Sequence, residues 1–118
     1  MIYYAILGFL RNIPARVWAF LQRGRRGYAD RDLWHLAGYL SGWLPEALDT
    51  YARDTHSYPG DMTESEWTSM VHAMADGFRA HRRLMDDDYG EEAEREMLME
   101  RARGGLRLFA EWFADLWD

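Results

Sequence analysis

Residues 25–78 read RRGYADRDLWHLAGYLSGWLPEALDTYARDTHSYPGDMTESEWTSMVHAMADGF, and this stretch decides the fold. Apolar side chains recur at helical spacing in its first part and again in its last part, with a loop of turn residues between them. That order predicts a helix, a loop and a second helix, packed as an antiparallel hairpin. Trp34, Trp43 and Trp67 occupy helical positions, so we expect them to lie with leucines in the contact between the two helices.

The first helix of this pair is predicted over residues 31–53. Asp30 is the expected N-cap, and Asp32 suits the positive end of the helix dipole. Pro45 removes one backbone hydrogen bond, which predicts a kink near residues 41–42. The apolar positions follow the i, i+3, i+4 rule and are Leu33, Leu36, Ala37, Leu40, Leu44, Ala47, Leu48 and Tyr51.

The loop that follows has a predicted structural role. Proline and glycine set its turn, and the histidine ring and tyrosine hydroxyl are expected to hold backbone groups. An alternative stays open, because a histidine near an aspartate can act as an acid or a base. The residues concerned are His56, Tyr58, Pro59, Gly60 and Asp61.

Two further helices complete the expected fold. Thr63 and Glu66 form a capping box that begins a helix over residues 64–85. A fourth helix is predicted from near Glu91, and the Gly104-Gly105 pair either breaks it or marks a close backbone contact; we favour one bent helix. The sequence therefore predicts an all-α protein, a small helical bundle of about four helices with a central helix-loop-helix hairpin.

The chain opens with ten apolar residues, too few to span a bilayer, where about 20 are needed. Arginines follow this run instead of preceding it, which does not fit a secretory signal. We predict a basic amphipathic helix in residues 1–24 and a helical bundle domain in residues 25–118. We favour a helix that packs its apolar face on the body of the protein or on another copy. The alternative is that residues 2–21 lie in a membrane interface, with the arginines at lipid phosphates.

Charge is divided unevenly along the chain. Residues 1–31 carry six arginines against one acid, a net +5, and residues 32–118 carry eight arginines against nineteen acids, a net −11. The acidic body would repel nucleic-acid phosphates, so nucleic acid is not an expected partner. The candidate interaction surface is the arginine set near the start: Arg11, Arg16, Arg23, Arg25, Arg26 and Arg31.

Reactive chemistry has weak support in the sequence. The chain has no cysteine, which excludes disulfides, thiolate nucleophiles and cysteine zinc sites. His72 and Asp76 share a helix face with His81 nearby, but the Glu-x-x-His repeat of bundle metal sites does not occur. We assign no catalytic, metal or cofactor residue. The acidic segment 86–100 is predicted to be a solvated face, with mimicry of DNA as the alternative.

An ordered set of short motifs carries a resemblance. The set consists of GYADRDLW (27–34), YL (39–40), HSYPGDMT (56–63), EW (66–67) and MADGF (74–78). It resembles a family of small uncharacterised proteins encoded by tailed bacteriophages and prophages. The resemblance implies a viral or prophage origin and an all-helical domain, and it brings no catalytic residue with it.

The sequence thus predicts a non-catalytic phage or prophage accessory protein that acts through protein–protein contact. Its expected partner is a host or phage protein, with self-association and a membrane surface as further options for the basic N-terminal helix. One alternative is an anti-defence or host-takeover inhibitor that binds a host protein, and another is a metal-dependent helical enzyme. The expected location is the host cytoplasm, including the inner face of the membrane.

Overall fold

The computed structural model describes residues 14–118, and within them all regular structure is helical, without a strand. The predicted all-α fold of about four helices is confirmed. Arg11 and the apolar run before it lie outside the described residues. The α-helices are α1 (Ala15–Arg26), α2 (Leu36–Asp54), α3 (Glu64–Met85) and α4 (Glu92–Trp112), and the 3₁₀ helices are Asp30–His35 and Phe113–Asp115.

The chain divides into two compact units. The first ends at Leu36 and the second is Ala37–Asp118. The predicted division between residues 24 and 25 falls inside the first unit, because the segment after α1 turns back and its aspartates bond to side chains of α1. The second unit contains α3, α4 and nearly all of α2.

The start of the predicted helix over residues 31–53 differs in the structure. Asp30–His35 is a 3₁₀ helix and α2 begins only at Leu36. Asp32, not Asp30, holds the first turn, since its Oδ2 accepts a hydrogen bond from the Ala29 N–H at 2.7 Å. The tighter 3₁₀ winding takes Trp34 out of the α-helical register, and Trp34 is 93% exposed. The prediction that Trp34 lies between helices was therefore wrong.

Helix α3 is the central element of the second unit. It begins at Glu64 as predicted, where the Thr63 Oγ1 accepts from the Glu66 N–H at 3.1 Å and donates to Glu66 Oε1. Its apolar face is buried, as expected from the helical spacing: Trp67, Val71, Met74 and Phe78.

The core of this unit is shared by three helices. Leu48 and Ala52 of α2 lie in the same cluster as Trp67, and Trp112 of α4 meets the Trp67 ring edge-on at 6.1 Å between centroids. Trp43 does not join this core and is 46% exposed. At about 100° per residue it lies on the far side of α2 from Leu48, so the prediction that it packs between helices was wrong.

Helix α4 passes through Gly104 and Gly105 without a break. Of the two interpretations of this glycine pair, close backbone contact is correct, because Gly105 lies against Gly77 of α3. A smaller cluster of Ala80, Leu98 and Ala102 continues the contact between α3 and α4 toward the α3–α4 loop.

Candidate functional site

The apolar face of α1 points outward. Phe20 is 72% exposed, while Ala19, the next residue back along the helix, is only 3% exposed. A surface helix normally turns its apolar stripe toward a core and its polar side to water. In α1 the apolar stripe is exposed as well, and its exposed side chains are Val17, Trp18, Phe20 and Leu21.

The end of α1 determines which side of the helix contacts the following segment. Gly27 has a left-handed φ of 88°, and its N–H donates to the Arg23 carbonyl at 2.8 Å. This glycine cap ends the helix and lets the chain turn back. The 3₁₀ helix Asp30–His35 then brings its carboxylates to the polar side of α1.

Three polar side chains of α1 are held by these carboxylates. The Arg23 Nε donates to Asp32 Oδ2 at 2.8 Å, and its Nη2 pairs with the other carboxylate oxygen. The Gln22 Nε2 donates to Asp30 Oδ2 at 2.8 Å, and Arg26 pairs with the same carboxylate. The polar side of α1 is therefore occupied within the unit.

Electrostatics reinforce this attachment. The hydrogen bonds from Arg23, and then the one from the Ala29 N–H, lower the pKa of Asp32 from 3.8 to about 2, and its side chain is only 6% exposed. Hydrogen bonds from Arg26 and Gln22 lower the pKa of Asp30 as well. Both carboxylates stay charged at neutral pH and keep the polar side of α1 in place.

The six candidate arginines separate into different roles. Arg23 and Arg26 are paired with aspartates, whereas Arg16, Arg25 and Arg31 are exposed and form no ion pair within residues 14–118. Arg11 lies outside the described residues.

Two of the unpaired arginines border the apolar face of α1. Arg16 precedes Phe20 by four residues and Arg25 follows Leu21 by four, so one guanidinium lies at each end of that face. We call Val17, Trp18, Phe20, Leu21, Arg16 and Arg25 the outer face of α1. An open hollow on this side is lined by Trp18, Leu21, Gln22, Arg25 and Arg26.

The predicted structural loop is held by a partner that the sequence did not indicate. The His56 backbone N–H donates to the Asp118 Oδ1 at 2.8 Å, and the Thr55 hydroxyl donates to the same oxygen at 3.2 Å. The Pro59 carbonyl accepts from the Met62 N–H at 3.0 Å, which forms the turn. Within residues 14–118, neither the His56 ring nor the Tyr58 hydroxyl makes the hydrogen bond that we expected of it.

His72 and Asp76 do not come together with His81 around one point. The Nδ1 of His72 lies 2.6 Å from Asp49 Oδ1, and Asp76 pairs instead with Arg101, whose Nε lies at 3.0 Å. Among residues 14–118, no three histidine or carboxylate side chains are arranged to hold a metal ion.

Asp49 joins α2 to α3. Its other oxygen pairs with Arg79 at 2.5 Å. Partial burial raises the pKa of Asp49, but its bonds to His72 and Arg79 outweigh this effect, so the pKa lies below its ordinary value. The ion pairs of Asp49 therefore link α2 to α3.

Four of the eight acidic residues in segment 86–100 pair with arginines. Arg82 pairs with Asp86, and Arg83 pairs with both Asp88 and Glu94. Glu92 pairs with Arg95 three residues later. Among residues 14–118, paired and unpaired acids therefore alternate along this solvated segment, and the three arginines interrupt its negative charge.

Searches against protein-family models, curated proteins and solved structures find no match to this chain. Within residues 14–118, no helix combines the length and the apolar character that crossing a membrane requires.

Proposed function

We propose that this chain is a non-catalytic accessory protein that acts by contact, and that the outer face of α1 attaches it to an anionic membrane surface. The observation that carries the proposal is the outward apolar face with an unpaired arginine at each end. An amphipathic helix of this kind lies in the interface plane, with its apolar side chains about 5–10 Å deep in the headgroup boundary.

Charge favours a lipid surface as the occupant. Residues 1–31 carry a net +5, whereas residues 37–118 carry eight arginines against eighteen acids, a net −10. An anionic leaflet attracts basic segments by about 1 kcal/mol per arginine near the surface, and it repels acidic ones. The chain is thus expected to bind through its first unit and to keep its second unit in water.

The side chains of the outer face suit the layered chemistry of a membrane interface. Trp18 offers an aromatic ring with a polar N–H, which favours the headgroup level, and Phe20 offers a purely apolar ring for the acyl region. Arg16 and Arg25 have long apolar stems that allow their guanidinium groups to reach phosphates while the stems stay at the apolar boundary.

The resemblance to proteins of tailed phages and prophages supports a viral or prophage origin. We accordingly propose the host cytoplasm as the location, at the inner face of the membrane, whose leaflet is anionic. The acidic second unit would then present its surface to a host or phage protein. On this view the protein binds a partner protein at the membrane and catalyses no reaction.

Vesicle flotation tests the apolar part of this proposal. The full chain should float with vesicles of phosphatidylglycerol and phosphatidylcholine and remain in solution with phosphatidylcholine alone. Phe20→Ser should weaken binding by about tenfold or more, because burying one large apolar side chain contributes about 1.5–3 kcal/mol. Phe113→Ser, which removes a ring that is 63% exposed from the second unit, is the matched control and should bind like the unchanged chain.

A second pair of variants tests the charge. Arg25→Gln should weaken binding to anionic vesicles about fivefold, since one arginine near the surface contributes about 1 kcal/mol. Arg103→Gln alters an exposed arginine of α4 that has no ion pair among residues 14–118, and it should have no effect. Failure of the full chain to float, or equal losses in the test and control variants, would contradict the proposal. A Phe20-dependent dimer in light scattering without flotation would assign the outer face to a second copy instead.

A further inference from the structure

The loop after α2 directs several polar groups at one carboxylate. The Asp118 Oδ1 accepts from the His56 N–H at 2.8 Å and from the Thr55 hydroxyl at 3.2 Å. Thr55 is only 4% exposed, so its hydroxyl is a fixed element of the site. The Ser57 N–H donates to Thr55 Oγ1 at 3.2 Å, and the Thr55 hydroxyl hydrogen is shared between Asp118 Oδ1 at 3.2 Å and the Ser57 carbonyl at 3.4 Å.

Asp118 reaches this loop on a short segment without regular structure. The 3₁₀ helix Phe113–Asp115 ends just before it, and residues 116–118 form no further helix. We call residues 116–118 the strap. Leu116 packs on the main core, and the Trp117 carbonyl accepts from the Tyr51 hydroxyl at 2.8 Å. Asp118 lies two residues beyond Leu116, whose N–H closes the 3₁₀ helix through the Phe113 carbonyl at 3.2 Å, so the Asp118 side chain can leave the loop while that helix stays intact.

The contacts at the two ends of the strap differ in chemistry. The apolar contact and the Tyr51 bond hold its backbone, and neither of them requires a charge. The loop donors, in contrast, meet a single carboxylate, and hydrogen bonds to a charged acceptor are about twice as strong as neutral ones. The His56 N–H and the Thr55 hydroxyl thus favour a carboxylate as their acceptor.

We propose that residues 55–57 form a carboxylate-binding site for short acidic peptides that carry an apolar residue two positions before the acid, as Leu116 precedes Asp118. Asp118 is its resident ligand, with Leu116 and Trp117 as the neighbouring residues. A partner segment of the same chemistry can occupy the site when the strap leaves it. This inference concerns the second unit and does not depend on the membrane attachment proposed for α1.

Nuclear magnetic resonance of the full, ¹⁵N-labelled chain tests this inference. Asp118→Ala should shift the backbone amide signals of His56 and Ser57 strongly, whereas Asp115→Ala should leave them in place. Asp118→Asn, which keeps the shape of the side chain, should shift them in the same direction as the alanine variant and guards against an effect of misfolding.

Binding in trans is then measured with the peptide FADLWD, the sequence of residues 113–118, with an amidated end so that its only carboxylates are side chains. The peptide should return the His56 amide of a Leu116→Ala/Asp118→Ala variant, whose own strap has lost its core contact and its carboxylate, toward its original position. The peptide FADLWN should bind at least about tenfold more weakly. The unchanged chain, whose site is filled by Asp118, should respond to neither peptide. A His56 amide that is the same with and without Asp118, or equal binding of the two peptides, would overturn the proposal.

Discussion

The backbones of Gly77 in α3 and Gly105 in α4 lie in direct contact. A Cβ atom built on Gly105 would lie 2.5 Å from the Gly77 Cα and 2.8 Å from the Ala73 carbonyl oxygen, and one on Gly77 would lie 2.6 Å from the Gly105 Cα. Because these neighbours are backbone atoms, no side chain can rotate to make room. The close approach of α3 and α4 therefore depends on glycine at both positions.

Alanine substitutions at the glycine pair should have opposite effects. Gly105→Ala forces the helices apart, and overpacking of this kind costs about 1–3 kcal/mol of unfolding free energy. Gly104→Ala is the matched control, since nothing lies within 4 Å of the added Cβ, and it should stabilise the protein by about 1 kcal/mol through helix propensity. Urea denaturation measures both, and a stabilised Gly105→Ala variant would show that the two helices are not in contact there.

Core packing between α3 and α4 is tested by two neighbouring residues. Leu98→Ala removes a fully buried side chain and should lower the unfolding free energy by about 2–5 kcal/mol through lost burial and a cavity. Met97→Ala alters an exposed side chain and should change the unfolding free energy by less than about 0.5 kcal/mol. Similar midpoints for the two variants in thermal unfolding would place Leu98 outside the core.

The N-cap of α3 makes a separate contribution. Thr63→Ala removes the acceptor for the Glu66 N–H and should destabilise the protein by about 1 kcal/mol. Thr50→Ala, at an exposed position inside α2, removes the same atoms without loss of a cap and should be neutral or slightly stabilising. Chemical denaturation measures the unfolding free energy of both variants. Equal losses of unfolding free energy in the two would contradict a capping role for Thr63.

The pair between Arg23 and Asp32 predicts a pH dependence in the first unit. Because the pKa of Asp32 is lowered from 3.8 to about 2, its stabilising contribution is complete above pH 3.8 and is lost as the pH falls through about 2. The Ala29 N–H donates to this carboxylate, so the Ala29 amide signal should shift with pH as Asp32 titrates. In Asp32→Asn this pH dependence should disappear. A midpoint near the unperturbed value of about 4 would mean that the pair does not form.

Local signals in the sequence were sufficient for much of the second unit. Thr63 and Glu66 are three residues apart, so the capping signal lies within one turn, and α3 begins and ends where it was predicted. Gly104 and Gly105 look alike in the sequence. Only the structure distinguishes them, because the backbone contact involves Gly77 on another helix.

Features that depend on distant residues could not be predicted. Asp118 and His56 are separated by 62 positions, so no local pattern links the loop to its carboxylate. The start of α2 was misplaced because the bonds of Asp32 to Arg23 and Ala29 override the apolar periodicity. The sequence likewise indicated an amphipathic α1, but it could not indicate that the apolar side is the outward one.

Depth measurement with a spin label tests the membrane attachment most directly. The chain has no cysteine, so Val17→Cys on the outer face, with Phe20 retained, and Ser69→Cys on the exposed side of α3 each give one labelling position. With anionic vesicles, the label at position 17 should become accessible to oxygen and protected from a water-soluble nickel complex, while the label at position 69 stays accessible to nickel. Equal nickel accessibility at the two positions, in the presence of these vesicles, would contradict the account.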